Sequence, residues 1–313
     1  MSEQAPSHVV LVRPHHFRPN PQTAADNAFQ HELTASARSI ALRARAEVDA
    51  LAELLAGAGV GVTVLDDETT ATPDSVFPNN WLSTHADGTL ALYPMYARNR
   101  RAERREEVLD QIRERFVVER VRDYSGAERA GRFLEGTGAM VLDHVHGIAY
   151  ACRSRRLDPR LFREVCTDLG YSPLLFEAAD ADGVPVYHTN VLMSVGTEMA
   201  LVGASIIRDG LVRGRVLGSL RESGREVVEL SEPQVRGFLG NCLELRGGGE
   251  RVLAMSARAA AQLSSSQRRV IERSCRILAA AVPTIEAAGG SVRCMLAGIH
   301  LPLRERAPLA VQR

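Results

Sequence analysis

Cys294, in the segment GGSVRC, follows Gly289-Gly290 at what reads as the start of a strand and has Arg293 beside it. A neighbouring cation lowers a thiol pKa, and the thiolate is the form that attacks. His188, in VYHTNVLM, can move protons near neutral pH. Glu135, in RFLEGTGAM, is a carboxylate beside glycine, placed to hold a substrate nitrogen or share its proton. Each has a plainer alternative: a structural thiol, an ordinary polar contact, a solvated loop glutamate. The structural reading is the one adopted for Cys152, Cys166, Cys242 and Cys275. His15, His16, His144 and His146 have no ligand partner at helical i, i+4 spacing, and no C-x-x-C pair occurs, so no metal site is expected.

What favours the chemical reading is position within a repeat. About every fifty residues the chain runs through a helical stretch, a short apolar strand, a polar loop, and two apolar strands joined by a tight turn. The hairpins are expected at 79–95, where Asp87-Gly88 supplies the turn, then at 139–152, 190–203 and 241–256, with a fifth starting at SVRCMLAGIHLP. Helices are expected at 36–58, 100–115, 158–169 and 266–281, with a weaker one in the fourth unit. The strands that follow them read GVTVL, FVVERV, SPLLF, REVVEL and AVPTI. Such a unit cannot bury both faces of its sheet alone. Five should therefore pack about a common axis as one α/β domain spanning 1–313, with HVVLVRP closing the ring. A doubly wound parallel sheet is the rival architecture. In the ring, Asp74, Asn79-Asn80, Glu135, His188, Gly240-Asn241 and Cys294 occupy equivalent places before each hairpin and converge at one end.

Composition narrows the partners. With 38 basic and 38 acidic residues the net charge is +0, which gives no polyanion-binding surface, so nucleic acid is not expected. No stretch of about 18 apolar residues occurs, and no membrane association or signal peptide is read. Five cysteines without a framework fit a reducing cytoplasm.

The phrases DSVFPNNW, YPMYARNRRAERR, FLEGTG, YHTNVLM and SVRCM resemble the guanidino-group-modifying (pentein) superfamily. Its members include arginine deiminases, dimethylarginine dimethylaminohydrolases and amidinotransferases. The resemblance covers nearly the whole chain and is nearest to the citrulline-utilisation hydrolases. It implies a five-bladed α/β propeller with Cys294 as nucleophile, His188 as acid/base and Glu135 as acidic partner, and no cofactor. It further implies Asp74 as a substrate-binding acid, and Arg100 and Arg153 as a clamp on the carboxylate of a small amino-acid substrate.

Two departures bear on substrate. Where arginine deiminases carry an acid two residues after the histidine, this chain has Asn190, and where relatives place an acid after Val-Phe it has Asn79 and Asn80. A neutral urea offers both an acceptor and donors, which carboxamides match better than unpaired carboxylates do. The expectation is hydrolysis of citrulline to ornithine, ammonia and carbon dioxide. The rivals are arginine deiminase, dimethylarginine dimethylaminohydrolase or amidinotransferase activity and, outside enzymes, a ribosome-binding factor of the same fold. The polar loop at 17–30 is a candidate lid, and the oligomeric state, a homodimer included, stays open.

Overall fold

Short apolar runs bounded by turn residues become strands, and the computed structural model, which describes residues 3–304, arranges them in five separate three-stranded sheets. The first and last residues of the single 1–313 domain expected from sequence lie outside the described residues. β1 (His8–Pro14) runs parallel to β2 (Gly61–Asp67), connected by α1 (Ala37–Gly57). The next four sheets share one plan: an antiparallel hairpin, a helix, and a third strand parallel to the second. They are β3 (Leu82–Thr84), β4 (Thr89–Leu92) and β5 (Arg120–Asp123), connected through α2 (Glu106–Arg115). Then come β6 (Met140–Asp143), β7 (Ile148–Cys152) and β8 (Ser172–Phe176), with α3 (Pro159–Leu169). The fourth sheet is β9 (Met193–Val195), β10 (Met199–Val202) and β11 (Glu226–Glu229), with α4 (Gly210–Glu222). The fifth is β12 (Leu243–Gly247), β13 (Glu250–Ser256) and β14 (Arg276–Ala280), with α5 (Ser265–Glu272).

β15 (Ala297–Ile299) has no hairpin partner after it in sequence. It pairs antiparallel with β1, His8 opposite Ile299, so the N-terminal strand completes the fifth repeat as expected. β15 packs beside β3, β6 beside β9, and β9 beside β12, so the first strand of each hairpin faces a common axis. Ladder hydrogen bonds stay within each sheet, giving a propeller-like arrangement and no closed barrel among the described residues.

The helices seal the outside. Ser36 caps α1 by accepting from the Ser39 N–H, and Ile40, Ala44, Val48, Leu51 and Leu55 form its buried stripe against β1, β2 and β14. Each larger side chain in that stripe contributes about 1.5–3 kcal/mol by leaving water. α3 starts on Asp158, which accepts from the N–H groups of Arg160 and Leu161, with Pro159 at its first position.

Three expected elements differ. RILAA, read as the end of a helix at 266–281, is strand β14, in register with Val252–Ser256; its apolar side chains are worth more on the sheet than its helix propensity. AVPTI forms no strand, because Pro283 opens the helical turn Pro283–Glu286. The expected helix at 100–115 splits into a tight turn, Arg98–Glu103, and α2.

Candidate active site

Single helical turns lead into the inner strands: Pro78–Asn80 before β3, Gly136–Ala139 before β6, Thr189–Leu192 before β9 and Val292–Met295 before β15. Glu135 and His188 are the N-cap residues of two of them, and Cys294 is the third residue of another, so it stands on a helical turn and not on a strand. Two glycines let the turns meet. A Cβ on Gly136, whose φ is +40°, would lie 2.7 Å from the Asn79 carbonyl. One on Gly138 would lie 2.3 Å from Asn80 Nδ2 and 2.8 Å from the His188 ring.

The structure brings Glu135 and His188 together: His188 Nε2 lies 2.9 Å from Glu135 Oε2, both buried. The other Glu135 oxygen accepts from the Tyr96 N–H at 3.0 Å, and Arg156 Nη1 lies 3.5 Å from Oε2. Glu135 thus holds the imidazole through Oε2 while Oε1 carries the Tyr96 N–H. Burial alone would raise its carboxyl, but Arg156, the His188 hydrogen bond and Arg100 hold it well below the usual carboxylate range. Burial is also the main influence on His188 and brings it down to about 4 despite Glu135, so the ligand-free imidazole is neutral at pH 7.

The Cys294 sulfur receives two amide N–H contacts, from Asn241 Nδ2 at 3.3 Å and Asn190 Nδ2 at 3.4 Å. Asn241 is oriented by a second bond from the same nitrogen to the Asn190 carbonyl, 2.9 Å. Burial pushes the thiols of Cys152, Cys166 and Cys242 up to about 12 and that of Cys275 higher still, which keeps them inert.

Arg100 is buried, but it is not free to clamp a substrate. It donates to both Glu103 oxygens at 2.9 Å, to Asn80 Oδ1 at 2.7 Å and to the Phe77 carbonyl at 3.2 Å, with Asp74 at 3.8 Å. A guanidinium only donates, so it fixes the Asn80 oxygen toward itself. Asn80 Nδ2 then donates to Asn79 Oδ1 at 3.0 Å, leaving Asn79 Nδ2 without a partner among the described residues. Asp74 accepts from Asn20 Nδ2 at 2.9 Å through one oxygen; the other, and Asn241 Oδ1, are likewise buried and unpartnered. Burial raises the Asp74 carboxyl and brings Glu103 up to about 7.

Arg153 falls outside the cluster. It follows the end of β7, is half exposed, and lies 3.4 Å from Glu177 on an open cavity of about 710 Å³ that also borders Asp26 and Tyr187. The buried arginine of the segment is Arg156, paired with Asp26 at 2.8 Å and stacked over Tyr187 at 4.8 Å. Sequence reasoning missed it because ACRSRRLDP offers three arginines and nothing that ranks them. Asn241, noted only for its place in the repeat, emerges as a direct neighbour of the sulfur. The 17–30 loop lies across the cluster through Asn20, Asp26 and Phe29, whose ring packs on Tyr187.

Residues 13–301 match the family described as N,N dimethylarginine dimethylhydrolase, eukaryotic. The chain belongs to that family. It is a guanidino-modifying pentein, and family membership places it among hydrolases of carbon–nitrogen bonds. No curated protein matches it by sequence at a significant level. Among solved structures, the N-terminal domain of a cysteine-to-serine mutant of ArgZ bound to substrate, an arginine dihydrolase from cyanobacteria, superposes with a TM-score of 0.71 at 14% identity, over 94% of this chain and 99% of that one. A cysteine-to-alanine mutant of AgrE with L-arginine gives 0.74 at 14% identity, over 96% of this chain but only 41% of AgrE. A cysteine-to-serine mutant of the Pseudomonas aeruginosa enzyme DDAH with citrulline gives 0.63 at 14%, over 95% and 99%. At this identity they show a shared fold. No helix among the described residues is long and apolar enough to cross a membrane.

Proposed function

We propose that the chain hydrolyses the ureido carbon–nitrogen bonds of citrulline, giving ornithine, ammonia and carbon dioxide, with Cys294 as nucleophile. The observation that carries this reading is the set of unpartnered buried groups at the rim: one donor, Asn79 Nδ2, and two acceptors, Asp74 Oδ1 and Asn241 Oδ1. A ureido group presents one carbonyl acceptor and several N–H donors, so it can satisfy all three, whereas a guanidinium has no acceptor for Asn79.

In this reading the Cys294 thiolate attacks the ureido carbon while the amides of Asn190 and Asn241 stabilise the sulfur's charge. The thiol proton passes to His188 Nδ1, the ring nitrogen that does not face Glu135, and the imidazolium gains from the carboxylate. His188 then protonates the first departing nitrogen and, neutral again, activates the water that frees the sulfur; the carbamic acid so released loses carbon dioxide, which breaks the second carbon–nitrogen bond and liberates the other amine. Glu135 positions His188 and does not touch the substrate. The α-carboxylate is assigned to the outer cavity, where Arg153 lies; Arg156 is held by Asp26 and Glu135. The complexes of structural neighbours with citrulline and L-arginine support a small amino acid as the substrate class.

A second reading, turnover of arginine through bound citrulline to ornithine, is favoured by the raised Asp74 carboxyl: a cationic guanidinium beside its unpartnered oxygen would offset the cost of burying it in the charged form. Mass spectrometry of products from citrulline, arginine and dimethylarginine separates the cases, with Cys294→Ser as control. Ornithine from citrulline, absent in the variant, is the expected result. Ornithine from arginine as well supports the second reading, and citrulline as sole end product from arginine or dimethylarginine overturns the first.

A further inference from the structure

A carboxamide carries a donor and an acceptor on one planar group, so which of them a substrate meets depends on what holds the other. Asn79 stands at the end of a hydrogen-bond chain whose first member has a single polarity. Glu103 accepts from Arg100 Nε and Nη2, each at 2.9 Å, and Nη2 also reaches the Phe77 carbonyl at 3.2 Å. The remaining arm, Nη1, donates to Asn80 Oδ1 at 2.7 Å.

Because a guanidinium has no acceptor, Asn80 cannot turn its nitrogen toward Arg100. Nδ2 must point the other way, where it donates to Asn79 Oδ1 at 3.0 Å. Asn79 has then used its oxygen in the chain, and Nδ2 is left buried and unpartnered among the described residues. Glu103, Arg100, Asn80 and Asn79 are each at most 3% exposed, so every link is made away from solvent. The backbone is pinned as well: Thr137 Oγ1 donates to the Asn79 carbonyl at 3.1 Å. The chain ends among the catalytic groups. A Cβ on Gly138 would lie 2.3 Å from Asn80 Nδ2 and 2.8 Å from His188 Nδ1, and the turn Pro78–Asn80 packs on the turn that carries Cys294.

The two unpartnered acceptors are fixed with the reverse polarity. Asp74 accepts from Asn20 Nδ2 through one oxygen, and Asn241 Nδ2 donates to the Asn190 carbonyl at 2.9 Å, which leaves Oδ1.

We propose that Arg100, anchored by Glu103, is a positioning residue that determines specificity: by fixing the direction of the Asn80–Asn79 hydrogen bonds it presents a donor to the reacting group, and so selects a ureido oxygen over a guanidinium, which offers only N–H groups. This deepens the citrulline reading and rests on it for the preferred head group, but the direction of the chain can be measured without turnover.

Asn80→Asp reverses the chain. An aspartate still accepts from Arg100 but has no N–H for Asn79, whose amide must turn to donate to it and present Oδ1 instead. Cys294→Ala serves as the parent, and calorimetric titration gives Kd for citrulline, thiocitrulline and arginine. Citrulline and thiocitrulline are both neutral and differ in the strength of the acceptor, so the charge added by the aspartate cancels between them. The parent should bind citrulline about 10-fold more tightly than thiocitrulline, and Asn80→Asp should bring the two close to equal while arginine gains on both. A parent that does not separate oxygen from sulfur, or a ratio unchanged by Asn80→Asp, overturns the proposal. A gain in arginine affinity with the oxygen-to-sulfur ratio intact shows added charge alone and overturns it too. Should the aspartate variant fail to fold, Asn79→Ala removes the donor and leaves Arg100, Glu103 and Asn80 in place; discrimination that survives there is equally fatal. Tight citrulline binding without ornithine from the wild-type enzyme would overturn the proposed reaction and leave the specificity element standing.

Discussion

At the catalytic rim two buried arginines are matched by acids: Arg100 meets Glu103 at 2.9 Å and Arg156 meets Asp26 at 2.8 Å. Beneath it, in a small axial cavity lined from the five inner strands, Arg293 is only partly buried and has a single carbonyl partner among the described residues. The rim spends its carboxylates on orientation. Glu135 is gripped from several sides so that His188 can have only one position, and Asp26 and Asn20 tie the 17–30 loop to the same network. The axial end holds its positive charge loosely, close to the sulfur. The contrast sets a rigid, charge-matched histidine–carboxylate pair against a cation held by one carbonyl.

The largest effect expected from breaking the rim is at Glu135. Replacing it by Gln keeps a hydrogen-bonding group of the same size but removes the charge that supports the imidazolium and offsets Arg156. kcat should fall roughly 10²–10⁴-fold, with KM nearly unchanged, as the proposed positioning role through His188 requires. Steady-state kinetics with a circular dichroism check on folding tests this; a loss confined to KM would return Glu135 to the substrate-binding role expected from sequence.

Acid distinguishes the two regions less sharply, because both contain histidines buried as neutral rings. His188 and His85 are lowered to about 4 and His300 to about 3, in each case chiefly by burial. Unfolded, each titrates near 6.5, so below that pH the unfolded chain binds protons that the folded chain refuses, and stability must fall as pH falls. The loss should begin near pH 6.5 and grow toward pH 4, with each fully buried ring contributing up to about 3 kcal/mol at the lower end. Urea unfolding at pH 7, 6, 5 and 4 measures it. A flat profile would show that these rings are hydrated or paired in solution.

Much of this contrast was legible in the sequence, but unevenly. The repeat, the closing role of HVVLVRP and the convergence of Cys294, His188 and Glu135 at one end follow from local periodicity repeated five times, which survives errors in any one element. Strand β14 was misread because RILAA has good helix formers and only its partner β13 makes it a strand. The arginines failed for a related reason. Arg100 was expected to be free for substrate, but its partners Glu103, Asn80 and the Phe77 carbonyl come together only through the turns at 78–80 and 98–103. The axial cavity left no trace in the sequence at all, since its lining is drawn residue by residue from strands far apart in the chain.

The smallest effect is the one that separates Arg153 from Arg156. Arg153 is 53% exposed and its partner Glu177 is 80% exposed, so the pair is screened by water and its loss should change stability by no more than about 0.5 kcal/mol. Arg153→Ala should therefore fold as wild type and leave kcat unchanged. If it helps hold the substrate carboxylate at the mouth of the outer cavity, KM rises several-fold, and glutarate-type anions lose competition in parallel. Arg156→Ala deprives the buried Glu135 carboxylate and the largely covered Asp26 of their partner and should cost about 3–5 kcal/mol. Thermal unfolding of the two variants side by side is the check. A large destabilisation from Arg153→Ala, or none from Arg156→Ala, would mean that charge at the rim is shared over a wider surface than the buried pairs suggest.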